Sequence, residues 1–202
     1  MSSFRQLLPW IEQNFIEIHA SDEVVLDHRY AGTNNFMNLD LYDGFSRCFL
    51  HPEAARMLRE ACLRLRSELP DLQFRIWDAL RPRRVQALMF DHLKGGPYET
   101  YVAAPHPGSF HNYGLALDLT LQNKNGDLLA MGTDFDDFRD LAQPAHESRF
   151  LQDGTLRPHE FANRILLRRL LEGVGFKVLT HEWWHFNALW ESPVHGKHPV
   201  LE

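Results

Sequence analysis

The chain has 202 residues and a formal charge of −6, with 44% hydrophobic and 24% charged residues. That length suits one domain with a real core, and the composition excludes disorder and fibrous folds. The acidic balance excludes a general nucleic-acid binder, which needs a basic face for phosphate. Two cysteines, Cys48 and Cys62, cannot build a disulfide framework; buried free thiols are expected, with a single bridge as the alternative.

In chain order, the start Met1–Trp10 lacks the apolar stretch of a signal peptide. No segment approaches the roughly 18 apolar residues of a membrane span. The expectation is a cytoplasmic protein without membrane or nucleic-acid partners. Val24–Leu26 and Leu72–Trp77 read as strands. Pro52 opens a helix carrying Ala54, Ala55, Leu58, Ala61, Cys62, Leu65 and Leu69 at helical spacing. A second helix begins at Pro82, carries Val85, Leu88, Met89 and Leu93, and stops at Gly95-Gly96-Pro97. Leu115–Thr120 is the clearest strand, with Leu115, Leu117 and Leu119 on one face and Ala116, Asp118 and Thr120 on the other. Asn123–Asp127 reads as a turn into a further run, Leu128–Met131. A third helix starts near Pro158, carries Phe161, Ala162, Ile165, Leu166 and Leu170, and ends at Gly173. Phe176–Leu179 is the last short strand before His181–His185. Without regular βαβ alternation, the fold class is α+β: a single domain with a mainly antiparallel sheet flanked by helices. It is expected over 1–202, with 1–22 an N-terminal extension and 190–202 a C-terminal tail.

A carboxylate on a central strand needs a partner or a metal, and Asp118 is such a residue. His111 lies upstream, and Gly114 lets the chain bend between them. Taken alone, the pair reads rather as a His–Asp hydrogen bond supporting the fold. His181-Glu182-Trp183-Trp184-His185 matches H-E-x-x-H, in which both histidines bind zinc from one helical turn. The aromatic residues favour a strand instead. His185 is therefore taken as the ligand, Glu182 as the base and His181 as a bystander; a zincin-type helix is the alternative. Two imidazoles and a carboxylate leave a fourth coordination position open, as a catalytic zinc requires. Trp77-Asp78-Ala79-Leu80-Arg81-Pro82 puts Arg81 at a strand-to-helix junction, where a fixed guanidinium could meet an oxyanion. His106, His146, His159, His195 and His198 receive no role beyond solvated loops.

Ser109–Thr120 fits S-x-H-x-x-G-x-A-x-D-L-T, Glu182–His185 fits E-W-W-H, and Trp77–Pro82 fits W-D-x-x-R-P. Together with Arg29-Tyr30-Ala31, Asn35-Phe36 and Met131–Asp136, these motifs resemble the D-alanyl-D-alanine dipeptidases, in order along most of the chain. The resemblance implies one zinc at His111, Asp118 and His185, with Glu182 as base and Arg81 stabilising the transition state. It further implies that Ser109, Tyr30 and Asp136 line the pocket of a small dipeptide, with Asp136 facing its ammonium group. Leu80 stands where an aromatic is expected, and Asn112-Tyr113 replaces a more polar pair. A D,D-carboxypeptidase or endopeptidase of the same superfamily acting on longer stem peptides, and a non-catalytic metal- or peptidoglycan-fragment-binding module, are the alternatives. Oligomeric state and physiological role are not legible.

Overall fold

Prolines set where the two longest helices begin. Pro52 opens a helix over Pro52–Glu68, with the His51 ring accepting the Glu53 N–H at 3.2 Å. Pro158 opens another over Pro158–Glu172, where Glu160 reaches back to the Arg157 N–H at 2.8 Å. Both devices satisfy amides that have no partner within the helix.

The computed structural model describes residues 4–106, 108–188 and 198–202. Its order is α1 (Phe4–Asn14), β1 (Ile16–Ile18), β2 (Val24–Leu26), β3 (Cys48–Leu50), α2 (Pro52–Glu68), β4 (Leu72–Asp78) and α3 (Arg83–Leu93). There follow β5 (Ala116–Asn123), α4 (Glu147–Gln152), α5 (Pro158–Glu172), β6 (Lys177–Leu179) and β7 (Glu182–Asn187). The main sheet runs β2-β4-β5-β7-β6; β2 lies parallel to β4, and every other pairing is antiparallel. β1 and β3 form a separate antiparallel pair. The α+β, mainly antiparallel expectation is what the chain adopts.

β5 is the central strand, and both of its faces are buried. Leu117, Leu119 and Leu121 join a core built with Phe74, Ile76 and Phe186. α2 buries Ala54, Ala55, Leu58, Ala61 and Leu65, as its spacing predicts. The other two helices differ from their predicted stripes. Leu88 of α3 and Ile165 of α5 are exposed, while Gln86, Glu160 and Arg164 are buried. The reason in α5 is a polar inward pair: Arg164 donates from Nε to the Met131 carbonyl at 2.7 Å and meets Glu147 at 3.2 Å. A buried guanidinium with partners rotates the apolar stripe away from the position hydrophobicity alone assigns.

The run Leu128–Met131 is not a strand. It makes one bridge, Gln122 to Leu128, and then leaves the sheet toward Arg164. Cys48 is buried and Cys62 half-buried, both free thiols. Residues 4–22 hold α1 and β1, whose Phe4 and Ile11 lie in the core. Of the expected C-terminal tail, residues 190–197, including His195, lie outside the described residues. Leu201 is buried, and its N–H donates to the Asn112 carbonyl at 2.8 Å. His198 is not a solvated loop residue: its ring stands 3.3 Å from that of His51.

Candidate functional site

The site begins as a row across the sheet. Asp118 on β5 is registered opposite His185 on β7 and opposite Asp78 on β4. An irregularity between Ile76 and Asp78 shifts β4 so that Asp78, rather than Trp77, faces Asp118. His111 comes from a short 3-10 turn, Phe110–Tyr113, capped by the Ser109 hydroxyl. Gly114 ends that turn with φ +62°, and a Cβ there would stand 2.8 Å from the His51 nitrogen. Glycine is therefore required where the chain swings from His111 into β5.

The ring nitrogens show what this cluster is built for. His111 Nδ1 lies 2.7 Å from the Ala79 carbonyl, which can only accept, so that nitrogen carries the proton. His185 Nε2 donates in the same way to Asn187 Oδ1 at 2.9 Å. This leaves His111 Nε2 and His185 Nδ1 as lone pairs, 3.2 Å apart. Asp118 adds two acceptors, Oδ2 at 3.3 Å from His111 Nε2 and Oδ1 at 3.0 Å from His185 Nδ1. Lone pairs converging on one point repel unless a cation sits among them. The donor set, two imidazoles and one carboxylate, fits zinc or a similar divalent ion. Among the described residues, these three form the one group of His, Cys, Asp or Glu able to hold a metal, with ligand atoms within 4.8 Å of one another. The partners on Ala79 and Asn187 fix which nitrogen each ring offers.

Glu182 and His185 are three apart on a strand, which would ordinarily place them on opposite faces. β7 avoids this by a bulge: Phe186 pairs with Val178 and Glu182 with Leu179, so Trp183–His185 have no counterpart on β6. Glu182 Oε2 then lies 3.7 Å from His185 Nδ1. Burial pushes the Glu182 carboxyl up to about 8; the charges of Asp118 and Asp136 act in the same direction, and His185 and Arg81 oppose them. The H-E-x-x-H stretch is thus strand, not helix. His181 sits in the turn before β7, outside the metal cluster, with its ring edge-on to Tyr101 at 5.7 Å.

Arg81 reconciles the two facing carboxylates. Its Nε donates to Asp78 Oδ2 at 2.8 Å, and Nη2 lies 3.5 Å from Asp118 Oδ2. Like charges opposite each other in a sheet repel, and the guanidinium between them offsets that repulsion. Tyr42 adds a hydrogen bond to Asp78 Oδ1 at 2.6 Å. Tyr30 lies under the Arg81 guanidinium at 5.1 Å, and its hydroxyl donates to Asp136 at 3.0 Å. Asp136 has φ +58°, a left-handed conformation that aims its carboxylate inward. Burial, then the nearby Asp118 charge, pushes the Asp136 carboxyl up to about 8. A cavity of about 300 Å³ is lined by every residue singled out from sequence as metal-binding, catalytic or substrate-binding: His111, Asp118, His185, Glu182, Arg81, Ser109, Tyr30 and Asp136.

Sequence reasoning gave no role to Asp78, Gln86 or Asn187. Asp78 stood inside a quoted motif; the two amides carried no spacing signal. The departures at Leu80 and Asn112-Tyr113 lie away from the substrate space. Leu80 is buried and does not line the cavity, and Asn112 holds the Arg81 carbonyl at 2.9 Å. Asn112 also accepts from the Ser109 N–H at 2.8 Å, so it ties together the backbones of two cavity-lining residues.

Comparison with known proteins accords with this geometry. The family model described as D-ala-D-ala dipeptidase matches residues 15–200. The D-alanyl-D-alanine dipeptidase of Escherichia coli K12 is 32% identical over 179 residues, covering 89% of this chain and 84% of the relative. That of Enterococcus faecium is 38% identical over 193 residues, with 82% and 88% covered. That of Enterococcus faecalis is 29% identical over 184 residues, with 81% and 85% covered. The chain therefore belongs to the D-Ala-D-Ala dipeptidase family and is a peptidase.

Proposed function

We propose that this protein hydrolyses D-alanyl-D-alanine, or a closely similar dipeptide, to free amino acids with one zinc ion held by His111, Asp118 and His185. The observation that carries this reading is the pair of imidazole lone pairs and the carboxylate converging beside Glu182 in one cavity. A zinc ion there would supply Lewis acidity, polarising a carbonyl and making water more acidic. Glu182 then takes a proton from the attacking water at its carboxylate and delivers it to the leaving amine. Its burial favours that exchange, because a carboxylate poised near neutrality both accepts and releases a proton readily. Arg81, fixed against Asp78, offers its remaining N–H groups to the oxyanion of the tetrahedral intermediate.

Asp136 receives the free ammonium group of the substrate. Its carboxyl, neutral at pH 7 when alone, ionises when a cation arrives, and Tyr30 keeps it in place. Ser109 borders the same space, although its hydroxyl is engaged by the His111 N–H at 3.3 Å. A half-buried acid lining a cavity of about 300 Å³ favours a dipeptide over a longer stem peptide.

The test is a panel of D,D-, L,D- and L,L-dipeptides with a pentapeptide stem, assayed with and without a chelator. Hydrolysis confined to D,D-dipeptides, lost on chelation and restored by zinc, is the expected result. Faster cleavage of the pentapeptide would favour a carboxypeptidase. Zinc binding without hydrolysis of any member would favour a binding module.

A further inference from the structure

Arg81 has one neighbour that belongs to neither the metal cluster nor the carboxylate row. Gln86 lies on α3, is 1% exposed and borders the cavity. Its Oε1 accepts from Arg81 Nη1 at 3.0 Å, and its Nε2 donates to the Ala103 carbonyl at 2.8 Å. Ala103 follows the Thr100–Val102 stretch that forms one wall of the cavity. Part of that wall is a 3-10 turn, Glu99–Tyr101, and among the described residues no strand pairs with it. Further anchors meet it at Tyr101, whose hydroxyl accepts from Gln143 at 2.6 Å and whose ring packs against Phe138 and His181.

We propose that Gln86 is a positioning residue that ties the orientation of Arg81 to the Thr100–Ala103 wall of the substrate cavity. The chemistry of the two ends allows few substitutes. A guanidinium only donates and a carbonyl only accepts, so the bridge must accept at one end and donate at the other. A glutamine amide does both in one rigid plane. A glutamate would turn an oxygen toward the Ala103 oxygen, and a methionine would leave both partners unpaired in a buried place. Asp78 and Asp118 both draw the guanidinium toward the sheet. Gln86 pulls from the α3 side, so the opposed bonds hold the planar group at one angle toward the cavity.

The inference rests on the reading of Arg81 as the oxyanion partner, and the experiment separates the two. Gln86→Met, Gln86→Glu, Arg81→Ala and the double variant Gln86→Met/Arg81→Ala are loaded with zinc and assayed on D-Ala-D-Ala, with thermal unfolding as the check on folding. Misplacing a reacting group by about 1 Å costs up to about 100-fold. Gln86→Met is therefore expected to lower kcat by about 10- to 100-fold. The double variant should be no slower than Arg81→Ala alone, because both changes remove one function. Gln86→Glu keeps the acceptor for Arg81 and releases the wall, so KM should rise more than kcat falls. A purely structural glutamine would lower the unfolding temperature without producing that split. If Arg81→Ala turns over normally, the Arg81 reading itself fails. If Arg81→Ala is impaired while Gln86→Met keeps wild-type kcat and KM, or if the two losses multiply, the positioning role is overturned. Should Gln86→Met not fold, Gln86→Glu decides, and an unchanged KM overturns the proposal.

Discussion

The two faces of β5 are equally dry and chemically opposite. Leu119 is 0% exposed and Asp118 2%. On the leucine face, contacts are non-directional, and any close-packed apolar neighbour serves. On the other face each buried polar group needs a specific partner at a specific angle. That face is itself graded along the strand. Gln122, at the far end, is held by a charged donor and a neutral acceptor, accepting from Arg75 at 2.8 Å and donating to Gln73 at 3.1 Å. Asp118, at the near end, faces two imidazole lone pairs that no proton satisfies. Burial does not separate core from site here. The separation lies in whether the partners on hand complete the chemistry or leave it asking for a ligand.

Substitutions along this strand and its neighbours break that contrast in graded ways. The largest effect is expected from Glu182→Ala, which should lower turnover by about 10²- to 10⁴-fold while metal analysis finds zinc still bound. An active, zinc-loaded variant would remove Glu182 from the mechanism. Adjacent positions on the two faces come next. Leu119→Ala should cost about 2–5 kcal/mol of unfolding free energy in denaturant titration and leave zinc content unchanged. Asp118→Ala should do the reverse, with zinc content falling to background and the metal-free chain still folded. Equal metal loss in both would mean that the faces are not separable.

The smallest effect is a matter of pH. Asp136 is pushed up to about 8 in the folded chain against an ordinary value of 3.8. Between those values the unfolded chain has released a proton that the folded chain still binds. Stability therefore falls as pH rises through that window. Asp136→Asn removes the penalty, so the metal-free variant should unfold a few degrees higher than the parent at pH 7. Below about pH 3.8 both forms are neutral and the difference should vanish. A variant less stable at neutral pH would show that the carboxylate is paired more strongly than its surroundings indicate.

What could be read in advance follows the same division. α2 and β5 were legible because their apolar positions repeat and prolines or turn residues bound them. α1 was not, since Pro9 interrupts a short amphipathic stretch. β1 and β3 are only three residues each, too short for alternation to register, and they lack the paired valines that mark the equally short β2. In α5 the stripe pointed at Ile165 because a pattern of hydrophobicity cannot anticipate a buried Arg164 that finds Glu147 and the Met131 carbonyl. The site residues were legible as types in a known order. Their supports were not: Asn187 and Gln86 are ordinary amides until a histidine ring or a guanidinium is placed against them. The bulges at Trp77 and at Trp183–His185 depend on the neighbouring strand, so no local spacing reports them.

The bulge in β7 makes the distance between Glu182 and His185 a matter of counting. Two tryptophans stand between them, and the strand must spend both in a loop-out to return His185 to the side where Glu182 already points. Swapping either tryptophan for another aromatic residue keeps the count; at Trp184 it alters packing, and at Trp183 it also removes the hydrogen bond from Nε1 to Thr133 Oγ1 at 2.7 Å. Deleting one leaves the bulge a residue short, so Glu182 can no longer keep its pairing with Leu179 while His185 keeps its place opposite Asp118. Length, more than composition, is what this four-residue stretch has to preserve.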